Sequence, residues 1–131
     1  MNIKRMAAIG ILIILAFFVV LHGLILLGRV PFQVVWGGRL TDYSQMVAFE
    51  SVSLLVNLLM IAVVLVQAGW VRLKIKAGVL KGALWGMAAL FGLNTLGNAL
   101  SSNALEKSLF TPLTLLLCLG CSILALSKGR P

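Results

Sequence analysis

Acidic side chains are scarce in this sequence: Asp and Glu together number three in 131 residues, beside eleven Lys and Arg and one His. Charged residues make up 11% of the chain, where a water-soluble domain carries about 25%. That deficit excludes a soluble globular domain. Long polar segments are lacking too. Outside the apolar runs the longest stretch is Arg29–Gln45, too short for an aqueous catalytic domain. The single His and the scattered carboxylates do not have the spacing of a metal site, so no metal is expected. There is no G-x-x-x-x-G-K-[ST] loop, no H-E-x-x-H and no nucleophile elbow, and no cofactor is expected either.

Apolar residues fill the space that charge leaves: 61% of the chain is hydrophobic and its mean hydropathy is +1.11. Four apolar windows, Met6–Gly28, Met46–Ala68, Gly82–Leu100 and Leu109–Ser127, are each long enough to cross a hydrocarbon core of about 30 Å as a helix. The expected fold is therefore an all-α membrane protein, with four transmembrane helices in an antiparallel bundle and a single domain over residues 1–131.

The charges sort by side. Lys4 and Arg5 precede the first window, Arg72, Lys74, Lys76 and Lys81 lie between the second and third, and Lys128 and Arg130 follow the fourth. The opposite side holds Arg29, Arg39 and Lys107 together with all three acids, Asp42, Glu50 and Glu106. Short loops rich in Lys and Arg stay in the cytoplasm, which puts both termini inside, in a cytoplasmic-type (inner) membrane. The net charge of +8 is thus a topology signal. Basic residues flanking spans suit anionic lipid headgroups, so the bilayer is the expected partner and nucleic acid is not. The first window exceeds a signal-peptide core and lacks an A-x-A-like cleavage site, as a retained helix would.

The outer loop, residues 29–45, carries Phe32, Trp36 and Tyr43, which suit the headgroup layer, and Pro31 with Gly37-Gly38, which break regular structure. The polar residues inside the spans share a depth on that same side. On the second helix Glu50, Ser53 and Asn57 follow Met46 on one face, and on the third Asn94 and Asn98 form a second stripe. His22 stands at a similar level on the first helix. An ionisable group at the centre of a span costs roughly 2.5–3.5 kcal/mol on insertion scales, so each such residue needs a reason. The pattern predicts a polar crevice open to the outside, lined by Glu50, Ser53, Asn57, Asn94, Asn98 and His22, with Arg39 and Trp36 supplied by the loop. The plainer alternative is structural: Asn and Ser joining helices, and Glu50 paired with Arg39 or Arg29 at the interface.

Cys118 and Cys121 form a C-x-x-C on the fourth window. In this the chain resembles small four-helix quinone-coupled reductases of the vitamin K epoxide reductase type. That family also carries a second cysteine pair in its outer loop, and residues 29–45 contain no cysteine. Packing of two small soft side chains is the expected role. Gly78, Gly82 and Gly86, spaced by four, clear a stripe for close helix contact, within the chain or with a second copy. The leading functional expectation is binding of a small molecule, ion or lipid headgroup in the crevice, for transport, as an oligomer. Two others stand beside it: an accessory subunit of a larger membrane complex, and a small membrane enzyme acting on a lipid-like substrate with Glu50 and His22 as acid and base.

Overall fold

A computed structural model of the chain describes residues 2–31 and 42–127. Among these residues the structure is a helical bundle without strands: α1 (Ile3–Leu26), α2 (Tyr43–Gln67), α3 (Ala77–Ala99) and α4 (Thr111–Leu126), the last preceded directly by a π-helical turn, Glu106–Phe110. Counting that turn with α4, all four helices are long and apolar enough to cross a membrane.

The helix ends have local causes. Asn2 caps α1, its side-chain oxygen accepting from the Arg5 amide at 2.8 Å, and Asp42 caps α2 through the Gln45 amide at 2.7 Å. At the other ends Gly28 and Gly69 adopt φ of 77° and 81°, the left-handed region that costs glycine little. Around each glycine the chain closes the same pair of bonds. Arg29 N–H donates to the Leu24 carbonyl and Gly28 N–H to that of Ile25; Trp70 N–H donates to Leu65 and Gly69 N–H to Val66. This Schellman arrangement satisfies the last carbonyls of α1 and α2 before the chain leaves the helix.

The start of α4 is different. Pro112 has no N–H to donate, and its ring crowds the carbonyl four residues back, that of Ser108. The turn before it widens: the Thr111 N–H reaches the Glu106 carbonyl, five residues away, and the Thr111 hydroxyl also donates to that carbonyl at 3.3 Å. Thr111 therefore closes a π turn. The turn buries Glu106 and Phe110, which a loop would have left outside.

In the core, α1 lies between α2 and α4, and α3 packs along α4, whereas α2 and α3 touch little. Leu15, Val64, Leu84 and Leu117, one from each helix, are wholly buried. Among the described glycines the tightest is Gly120 on α4, where a Cβ would stand 2.9 Å from Ile11 Cγ1 of α1. At Gly78, Gly82 and Gly86 a Cβ would meet nothing within 4 Å, so that stripe is not consumed by packing within the chain. Only 22% to 33% of each span is buried inside the bundle, and Leu55, Leu59, Leu116 and Leu119 are among the large apolar side chains left outside. Such a surface needs lipid or another protein against it.

Candidate functional site

The weak contact between α2 and α3 leaves a cavity of about 780 Å³. Its walls come from the C-terminal half of α1, the stretch of α2 from Gln45 to Met60, the C-terminal half of α3 and the beginning of α4 with its π turn.

On the α1–α2 side, His22 lines the cavity and its Nδ1 is hydrogen-bonded to Oε2 of Glu50, which is completely buried behind it. A carboxylate on Nδ1 orients the ring and leaves Nε2 as the nitrogen available for a ligand. One turn earlier Phe18 packs against the His22 ring and, edge to face, against Phe110, with centroids 6.4 and 5.7 Å away. Further along α2, Asn57, which lines the cavity, donates one amide N–H to the Ser53 carbonyl at 2.7 Å, and its carboxamide oxygen makes no hydrogen bond among the described residues.

On the α3–α4 side a small hydroxyl and amide cluster ties the helices. The Asn98 amide donates to Thr114 Oγ1 at 3.4 Å, Thr114 Oγ1 lies 2.9 Å from the Phe110 carbonyl, and Thr95 Oγ1 lies 3.0 Å from Thr114 Oγ1 and 2.7 Å from the Phe91 carbonyl. Each hydroxyl has one proton. Thr114 gives its proton to a carbonyl and accepts from its neighbours, so the cluster is satisfied internally. Asn94, one turn from Asn98, lines the cavity and makes no hydrogen bond among the described residues.

The residues expected from sequence thus divide three ways. His22, Ser53, Asn57, Asn94 and Asn98 line one cavity; Glu50 sits behind His22 rather than on the wall; Arg39 and Trp36 lie outside the described residues. Of the structural alternative for Glu50, the carboxylate is wholly buried and bonded to His22, Arg29 is exposed, and Arg39 lies outside the described residues. Three polar residues were not expected in the site. Glu106 lines the cavity and is only 4% exposed, Thr114 does so at 5%, and Gln45 reaches the wall from the first turn of α2. The signal for Glu106 was present as its spacing of four from Phe110 and of eight from Thr114, which is one helical face once helix four is started early enough.

No family model, curated protein or solved structure matches the chain. The chemistry open to the site follows from its groups. Among the described residues no three His, Cys, Asp or Glu side chains gather as a metal site. Cys118 and Cys121 are free thiols on α4, Cys121 in the core and Cys118 beside Gly92 of α3, and neither lines the cavity. What the wall offers is one imidazole held by a buried carboxylate, a second carboxyl group, four carboxamides and aromatic faces. Chemically, such a set is able to hold a polar group by hydrogen bonds.

Proposed function

We propose that this chain is a multi-pass protein of the inner membrane, with its helices antiparallel and both termini cytoplasmic, that binds a small molecule, ion or lipid headgroup in the α2–α3 cavity. On this reading the cavity opens outward, and binding serves transport by an oligomer. The observation that carries it is the convergence of His22, Asn57, Asn94 and Glu106, from four helical segments, on one open volume. Polar residues kept only to join helices would be used up in contacts between helices, as the Thr95–Thr114–Asn98 cluster is. Asn94 and the Asn57 oxygen are not used in that way. The glycine stripe that the chain leaves uncovered supports association with a second copy or a larger membrane partner.

The His22–Glu50 contact favours a second reading, a membrane enzyme in which the ring transfers a proton to or from a lipid-like substrate and Glu50 orients it. The two are separated by turnover: an enzyme converts its ligand and a transporter returns it unchanged.

Thermal unfolding of the purified parent and of Glu50→Gln across a panel of ions and lipids tests the binding reading. A ligand that stabilises the parent but not the variant supports it, and identical responses to every condition refute it in favour of an accessory subunit. Orientation is checked with a reporter active only outside the cytoplasm, expected silent after Pro131 and active between Ser101 and Ser108.

A further inference from the structure

The lips of the cavity change from apolar to polar within one residue. On α2 both Val52 and Ser53 line it, and on α3 both Leu93 and Asn94. Val52 and Leu93 are 61% and 67% exposed, and they stand on the two helices that touch little. At about 1.5 Å per residue, Val52 lies about 14 Å along α2 from Tyr43 and Leu93 about 9 Å along α3 from Ala99, inside two helices long and apolar enough to cross a membrane. Around a span, such side chains meet hydrocarbon. A molecule lying across this seam keeps an apolar portion in the bilayer while its other end sits in the cavity. The volume of about 780 Å³ is that of a site for a small organic molecule.

Behind the seam stand uncharged groups with hydrogen-bonding capacity to spare. Asn94 makes no hydrogen bond among the described residues, and neither does the carboxamide oxygen of Asn57. A carboxamide offers both donors and an acceptor, so it suits a head that does both, a hydroxyl or an amide. Such a head leaves water at a cost of roughly 1–3 kcal/mol by mutational measures when it finds no partner, and the two asparagines supply one. An ionised head costs far more to desolvate, and neither asparagine carries a counter-charge. The two buried carboxyls have partners of their own, His22 for Glu50 and another group of the chain for Glu106.

Building on the reading of the cavity as a binding site, we infer that its ligand is a membrane-dissolved amphiphile with an uncharged hydroxyl or amide head. It enters from the bilayer between α2 and α3, its head hydrogen-bonds to Asn94 and Asn57, and its apolar chain stays in lipid past Val52 and Leu93.

The test uses the full chain in phosphatidylcholine nanodiscs, with a hexadecanol that carries a photoactivatable diazirine in its chain as the probe. The competitors, matched for concentration in the bilayer, are hexadecanol, hexadecyl sulfate, hexadecyltrimethylammonium, hexadecane and butanol. Saturable labelling of α2 and α3 is expected, displaced by hexadecanol and not by the other four. Asn94→Leu breaks no hydrogen bond among the described residues and is expected to weaken binding about two- to tenfold, as loss of one hydrogen bond does. Asn57→Leu serves if circular dichroism shows that Asn94→Leu does not fold. Unchanged binding in the folded variants overturns the assignment of the head to these side chains. Displacement by the sulfate or the trimethylammonium compound as effective as by hexadecanol overturns the uncharged head while leaving entry from the bilayer standing. Displacement by hexadecane as effective overturns recognition of the head, and displacement by butanol as effective overturns access from the bilayer. Absence of saturable labelling overturns the inference as a whole, and the ion and lipid panel with Glu50→Gln then decides separately whether the cavity binds anything.

Discussion

His22 on α1 and Glu50 on α2, 28 positions apart in sequence, are joined through Nδ1 and Oε2, with the carboxylate wholly buried and the ring on the cavity wall. Removing either takes from the other a hydrogen-bonding partner inside the bundle. Glu50→Ala and His22→Ala are therefore each expected to destabilise the chain by about 1.5–3 kcal/mol, the range for hydrogen bonds to charged groups. The double variant should cost less than the sum, with a coupling of about 0.5–3 kcal/mol. Unfolding in mixed micelles measures the cycle, and additive costs would mean that the two residues do not depend on each other.

Thr114 holds α3 to α4 by accepting from Asn98 and meeting Thr95. Thr114→Val keeps the shape and removes the hydroxyl. Hydrogen bonds between membrane helices average about 0.6 kcal/mol and reach about 1.7, so the expected loss lies in that interval, and Thr114→Ser should recover most of the hydrogen-bonded part. A loss above about 3 kcal/mol would assign Thr114 a larger role than joining two helices.

The glycines give a contrast within one protein. At Gly120 an added methyl would stand 2.9 Å from Ile11 Cγ1, a branch carbon that has little freedom to withdraw, so Gly120→Ala is expected to cost about 1–3 kcal/mol by overpacking. Gly82→Ala meets nothing within 4 Å and should leave the fold of a single chain unharmed. Comparing melting temperatures of the two variants checks the first effect, and a change in oligomer size for Gly82→Ala alone would show that a second chain uses the stripe.

The thiols are expected to be replaceable. Cys118 and Cys121 stand away from the cavity, and changing both to Ala should leave stability and ligand binding within about a kcal/mol or two of the parent, as mild core substitutions do. Loss of activity in a well-folded double variant would restore a redox role.

The four helices were legible because each is a long uninterrupted apolar run, but their starts were not. Observed helices begin at Ile3, Tyr43 and Ala77, three to five residues before the apolar windows, since hydropathy discards polar first turns such as Tyr43-Ser44-Gln45 while the caps Asn2 and Asp42 stand further out. The polar stripes on α2 and α3 were legible for the complementary reason: in an apolar run a polar residue at spacing three or four is conspicuous. Glu106 was hidden by its neighbours. Lys107 and Ser108 are exposed and polar, and a carboxylate beside them reads as loop until Pro112 is seen to widen the turn instead of ending the helix. The pairing of His22 with Glu50 needs two helices in register, which periodicity along one helix cannot supply.

The π turn before Pro112 also fixes the address of Glu106 by residue count. A turn with one extra residue shifts every earlier side chain by about 100° around the axis relative to an uninterrupted α-helix. Deleting a single exposed residue there, such as Ser108, would let the turn close with ordinary spacing and leave Glu106 three and seven positions before Phe110 and Thr114, close to the face it occupies now. The turn thus absorbs one residue of length at the membrane end of helix four without displacing the acidic side chain from the cavity wall.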